Sequence, residues 1–323
     1  MHGRFVRTYV GFLVGALALA GCGGQRSNAS EAATGRLSIA TGNTTGVYYV
    51  MGGGFAQIIN AHLDGYRATA EATGGSVENI QRIANGQSDI GLSPVDTATD
   101  AVRGTAPFTS PQPIRAIARV YNNYTHVVVR TDAGIDRIED LKGKVVGTGS
   151  PGAGTIQAIA RRLLAVSGLN LDTDVTQQRL SLPESTDAIA KGKIQALFWS
   201  GGLPTAGIKE LFGTAKGKVK ILDLSPYLAK MQSQYTTLYQ AGTIPKGTYG
   251  TSADIPTIVV PNLILVRDTM SNDLAYRLTK LLFDYKADLV ATHKEANNLD
   301  LSTAQLTGEV LLHDGAKKYY GQH

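Results

Sequence analysis

Residues 142–159, KGKVVGTGSPGAGTIQAI, constrain the fold most. An apolar run enters a loop holding Gly147, Gly149, Gly152 and Gly154, and Thr155 opens a predicted helix. Glycines let a backbone take positive φ and approach a ligand closely. A helix start adds unpaired N–H groups and the positive end of a dipole, so the combination seats an anion. Residues 37–54, LSIATGNTTGVYYVMGGG, repeat the order, with a helix starting at Gly46. Two such seats this far apart predict two lobes gripping one ligand.

The rest of the chain alternates strands and helices. Strands are predicted at 36–40, 67–72, 89–92, 114–120, 126–130, 144–147, 178–180, 196–199, 219–222 and 255–266. Helices are predicted at 46–63, 76–85, 96–103, 155–167, 185–191 and 205–212, with one long amphipathic helix over 272–292. Strands regularly followed by helices mean an α/β fold with parallel sheets. Two blocks share one order and end alike, in NGQSDIGL (85–92) and KGKIQALF (191–198). Ligands of open α/β sheets bind beyond the carboxyl ends of strands, which points Ser93 and Pro94, and Trp199, Ser200 and Gly201, at the same cleft as the loops.

Arg4 and Arg7 precede an apolar run from Tyr9 to Ala20 that is too short to span a bilayer. With Leu19-Ala20-Gly21-Cys22 after it, the run reads as a signal peptide over 1–21 ending in a lipobox-like site, with Cys22 lipidated. Cys22 is the sole cysteine, so no internal disulfide is expected. Small polar residues over 22–35 read as a flexible tether. The remainder, about 300 residues, suits two lobes: 36–124 plus 255–323 form the first and 125–254 the second. Hydrophobic residues are 43% and charged residues 18%, which favours a packed core over disorder. The net charge of +5 is scattered and partly in the signal, too weak to argue for nucleic acid.

Candidate ligand contacts are the loop hydroxyls and glycines Thr44, Thr45, Gly46, Ser150, Gly152, Gly154 and Thr155. Some of these hydroxyls are expected to cap helices instead. Gly75 and Ser76 open another helix, with Ser76 a natural N-cap and Asn79 one turn later offering an amide. Either Tyr48 or Tyr49 faces the cleft while the other packs. Ser93, Trp199 and Gly201 sit at strand ends, Trp199 either stacking on a ligand or wedging the core. Gly147–Gly152 also matches the GxGxxG of dinucleotide-binding folds, with Asp172 and Asp174 downstream. Pro151 in the turn and the export signal count against that enzyme reading. Ser150 is not in a G-x-S-x-G setting, and no Cys/His spacing suggests a metal. No catalytic residue, cofactor or metal is expected, and a monomer is.

Four motifs carry a family resemblance: IATGNTTGVYY (39–49), ATGGSVEN (72–79), GSPGAGT (149–155) and LHDGAKKYY (312–320). In this order they resemble the TAXI family, the solute-binding subunits of TRAP transporters, over nearly all of the chain after residue 36. The resemblance implies a type II periplasmic-binding-protein fold, with a hinge and an interlobe cleft. It also implies capture of a small organic anion, glutamate or another dicarboxylate, and delivery to an ion-coupled membrane permease. A ligand sensor serving a signalling partner stays open as a second reading.

Overall fold

The computed structural model describes residues 35–151, 153–235 and 237–323. The signal, Cys22 and most of the tether therefore lie outside the described residues, as does Gly152. The chain opens with β1 (Gly35–Ala40), α1 (Val47–His62), β2 (Tyr66–Glu71), α2 (Ser76–Ala84), β3 (Ile90–Pro94) and α3 (Val95–Arg103). The long β4 (Ile114–Arg130) leads to β5 (Val145–Gly147), α4 (Gly154–Val166), β6 (Thr176–Gln178), α5 (Leu182–Ala190), β7 (Ala196–Gly201) and α6 (Ala206–Thr214). Next come β8 (Val219–Ile221), α7 (Leu228–Gln234), β9 (Gln240–Ile244) and the long β10 (Ile255–Arg267). Four helices finish the chain: α8 (Asn272–Asp284), α9 (Lys286–Thr292), α10 (Leu301–Ala304) and α11 (Asp314–Tyr320).

The strands join in the order β2-β1-β3-β10-β4-β7-β5-β6, with β8 on β4 and β9 on β10. The outer pairs are parallel, as the alternation demands. The centre is not: β10 runs antiparallel to β3 and β4, and β4 to β7. The expectation of parallel sheets is corrected to a mixed sheet, because β4 and β10 each run the length of both halves. Near its start β4 pairs with β10, and from Tyr124 on it pairs with β7. Helices α1, α8 and α11 pack on the β1–β2–β3 half around Ile39, Ile59, Leu278 and Tyr319. A larger cluster runs from Ile80 and Ile83 through Val127–Val129 to Leu163 and Leu197 and joins both halves.

Two predicted strands, 114–120 and 126–130, are one 17-residue strand. The Tyr121-Asn122-Asn123-Tyr124 stretch has the polarity of a loop, yet Tyr121 and Asn123 are buried, and Asn122, Asn123 and Tyr124 pair with β10. The predicted helix over 272–292 breaks at Tyr285, which leaves the helical region and stacks on His62 with 3.7 Å between ring centroids.

His126 on β4 is fully buried. Its Nδ1 lies 2.8 Å from the Tyr124 carbonyl and its Nε2 3.0 Å from the Tyr249 hydroxyl. The carbonyl can only accept, so Nδ1 carries the proton and the hydroxyl donates to Nε2. Burial pushes the His126 pKa down to about 4. Unfolded, the ring takes up a proton near pH 6.5. Between these values the unfolded chain holds more protons, so acid drains stability across that window, in full by about 3 kcal/mol. Urea midpoints should therefore fall between pH 7 and pH 4.5, and His126→Gln should flatten that fall. An identical pH slope in the variant would assign the loss to other groups.

Candidate functional site

Three helices from both halves of the sheet begin at one partly open cavity of about 40 Å³. Its walls include Gly46, Val47 and Tyr48 at the start of α1, Gly74, Gly75 and Ser76 at the start of α2, and Ala153, Thr155 and Ile156 at the start of α4. Gly42, Asn43, Asn123, Trp199 and Ser200 complete the lining. Among the described residues, no charged side chain is part of it. The N-cap residues of the three helices, Gly46, Gly75 and Ala153, supply no side-chain cap. Side-chain caps are present on α5, where Ser181 accepts from Glu184, and on α8, where Ser271 accepts from Leu274, while α3, α6, α7 and α9 also lack one. Gly75 sits at φ 133, a conformation that only glycine takes without strain. Each helix start brings roughly half a positive charge toward the cavity. At α2 the first-turn Glu78 carboxylate already accepts from the Gly74 N–H at 2.7 Å and offsets part of it, so the starts of α1 and α4 carry most of the field that favours an anion.

The two halves touch at several points beside this space. Ser150 donates to the Gly74 carbonyl at 3.0 Å, the Leu182 N–H donates to Asn43 Oδ1 at 3.2 Å, and the Thr97 and Thr155 hydroxyls meet at 2.7 Å. The Trp199 ring lies so close to Gly46 that a Cβ there would be 3.5 Å from it. The Trp199 indole N–H is already spent on Thr205, at 3.0 Å, so the residue contributes its ring carbons to the wall.

The floor is a buried polar network on the two shared strands. Tyr48 donates to Asn262 Oδ1 at 2.5 Å and accepts from Asn123 at 3.3 Å. Asn262 in turn donates to Asn123 at 2.8 Å and to the Tyr121 carbonyl at 3.1 Å. A register shift in the β4–β10 pairing falls between Pro261 and Leu263, at Asn262 itself. Burial, more than any neighbouring group, pushes the Tyr48 phenol well above its ordinary pKa, so it stays a neutral donor.

Of the residues expected from sequence, Gly46, Tyr48, Gly75, Ser76, Thr155 and Trp199 line the cavity. The choice between the tyrosines falls on Tyr48, and Tyr49 is not part of the wall. Gly152 lies outside the described residues, and the other expected contacts among the described residues stand outside the cavity. Asn79 is a bracket, its amide donating to the carbonyls of Thr41 and Leu92 at 2.6 and 2.8 Å. The Ser93 hydroxyl donates to the Pro94 carbonyl. Ser150 ties the halves together as described. Thr44 is exposed, and the Thr45 hydroxyl is buried with no partner. Gly201 lies where a Cβ would meet the Trp199 indole at 2.6 Å. Gly154 packs on Val77 of α2, where a Cβ would be 3.0 Å from the Val77 Cβ.

Asn43 and Asn123 had not been expected as contacts, and Ser200 had been expected only to face the cleft. Ser200 carried a signal, since it stands between Trp199 and Gly201 at a strand end; Asn123 carried none. The acids downstream of the GxGxxG match are occupied: Asp172 pairs with Arg161 and Asp174 accepts from the Asn170 N–H. A larger open groove of about 690 Å³ lies among Lys209, Phe212, Lys216, Lys220 and the 247–253 loop. Among the described residues, no helix begins on it.

This architecture is the fold of two-lobed periplasmic binding proteins. The chain is similar to a binding protein component of an ABC phosphonate transporter from Pseudomonas aeruginosa, at 12% identity and a TM-score of 0.58, covering 82% of this chain and 80% of that one. It is also similar to an ancestral arginine-binding protein bound to arginine, at 13% identity and a TM-score of 0.51, covering 81% and 98%. The chain belongs to the NMT1-like family, whose model matches residues 39–322.

Proposed function

We propose that this protein is an extracytoplasmic solute-binding receptor that captures a small organic anion between two lobes and hands it to a membrane permease. The observation that carries the reading is the convergence of three uncapped helix starts, from both halves of the sheet, on one cavity without a charged side chain among the described residues. The lobes are 36–124 with 255–323, and 125–254, joined through β4 and β10. Ligand closes them by making contacts with both. The role is binding and release, with no catalytic step.

The motif resemblance to TAXI proteins supports a TRAP-type permease as the partner. The signal-like N-terminus supports a lipid anchor at Cys22 and an extracytoplasmic location. A carboxylate, sulfonate or phosphonate suits the helix starts. The cavity is on the order of a few waters in size, which favours a short acid. Among dicarboxylates the lining favours those without an amino group over glutamate, because no wall residue among those described can neutralise an ammonium.

A thermal-shift screen tests this. A ligand at a hundredfold excess over its Kd adds about 2.7 kcal/mol of stability. Short mono- and dicarboxylates and alkylsulfonates should raise the melting temperature, while their uncharged amides should not. Glutarate should outperform glutamate. Amides that stabilise as well as the acids would remove the anion from the account.

A further inference from the structure

A buried ionic cluster ties α3 to α4 beside the cavity. Arg162 on α4 reaches Asp96 Oδ2 at 3.0 Å with one nitrogen and Asp100 Oδ2 at 2.7 Å with the other. The first nitrogen also donates to the Tyr239 hydroxyl at 2.7 Å, and that hydroxyl donates to Asp96 Oδ2 at 2.7 Å. The side chains are 14% exposed for Arg162, 2% for Asp96 and 16% for Asp100, so the charges are largely out of water. The Arg162 guanidinium also lies 5.3 Å from the centre of the Tyr235 ring.

The cluster spans the two lobes proposed above. Asp96 and Asp100 belong to the half built on β1, β2 and β3; Arg162, Tyr235 and Tyr239 belong to the other. It also shares a helix with the anion seat. Thr155, in the first turn of α4, lines the cavity and meets Thr97, the neighbour of Asp96. Arg162 stands two turns further along, on the same face of the helix. A movement that lowers the α4 start onto a ligand therefore carries Arg162 into the two carboxylates. In an opened cleft the same three charges would face water.

We propose that Arg162 is a positioning residue for ligand capture: by docking on Asp96 and Asp100 it registers α4 against α3 and so assembles the cavity in its closed geometry. Burying three charges is costly, and the attraction repays that only with all partners in place. Losing one partner leaves an uncompensated buried charge in the closed form alone. The cluster thus acts as a geometric gate, since a cleft closed out of register cannot complete it. The proposal rests on the receptor reading, but its test uses ligand-free protein, so a wrong choice of ligand leaves it standing.

The experiment compares wild type, Arg162→Met, Arg162→Lys and the triple variant Asp96→Asn/Asp100→Asn/Arg162→Met. Small-angle scattering gives the radius of gyration, and emission from Trp199, packed across the cleft on Gly46, reports closure. Arg162→Met should shift the open-to-closed ratio by about a hundredfold or more toward open, with a larger radius and red-shifted emission. Arg162→Lys, which keeps the charge but not the fork, should fall between the two. The triple variant holds no buried charge, so it should fold even where the single one does not, and its open-to-closed ratio should return toward that of wild type. A radius and emission equal to wild type in Arg162→Met or, where that variant does not fold, in Arg162→Lys, with only the melting temperature lowered, would reduce the cluster to fold stabilisation and overturn the proposal.

Discussion

Replacing Gly154 with valine should weaken ligand binding roughly thirtyfold while leaving the fold of each lobe intact. The first atom added meets Val77 on the opposite half, 3.0 Å from its Cβ and nearer still to its Cγ2. Val77 is buried and α2 is held by its own core, so the clash cannot be relieved by a side chain swinging into water. Overpacking of this kind costs typically 1–3 kcal/mol, and about 2 kcal/mol corresponds to that thirtyfold. The cost falls only where α2 and α4 meet, which is the closed form. Calorimetry should show the weakened affinity, and scattering should show an enlarged radius of gyration without ligand. Unchanged affinity would mean that α2 and α4 need not touch for the ligand to be held. The mechanism differs from the one the sequence suggested. Gly154 does not leave room for the anion; it leaves room for the other lobe.

Cys22→Ser should move the protein from the membrane fraction to the soluble fraction almost completely. The inference comes from Arg4, Arg7, the apolar run and Leu19–Cys22, all outside the described residues. Among the described residues, no helix is long and apolar enough to cross a membrane. Each acyl CH₂ buried in lipid contributes about 0.8 kcal/mol, so removing the acylated residue removes an anchor that weak surface contacts cannot replace. Fractionation of cells expressing the two forms is the check. A serine variant that stays with the membrane would show that something other than Cys22 holds it there.

The strand–loop–helix design was legible because it is local: an apolar run, glycines and a helix start lie within one short segment. That is why Gly46, Tyr48, Gly75, Ser76 and Thr155 could be placed. The corrections come from contacts that sequence spacing does not encode. Asn123 enters the wall because Asn262, 139 residues later, holds it there. Asn43 is fixed by Leu182, also 139 residues away. Asn79 sits at the right place on its helix to offer an amide, but the ends of β1 and β3 claim it first. The long β4 looked like two strands because Asn122 and Asn123 are loop residues everywhere except beside a partner such as β10. Arg162 gave no signal at all, since its partners Asp96 and Asp100 lie far back in the chain and look like an ordinary solvated helix face.

Calorimetric titration of the acid selected by the thermal-shift screen, set against its own uncharged amide, addresses the central claim most directly. The two differ in charge and hardly in shape, so the comparison isolates what three helix starts contribute in a cavity without charged walls. The acid should bind at least about a hundredfold more tightly, a difference of about 2.7 kcal/mol. Equal affinities, or an acid whose binding is lost when Lys209, Lys216 and Lys220 of the outer groove are neutralised, would contradict an anion seat between the lobes.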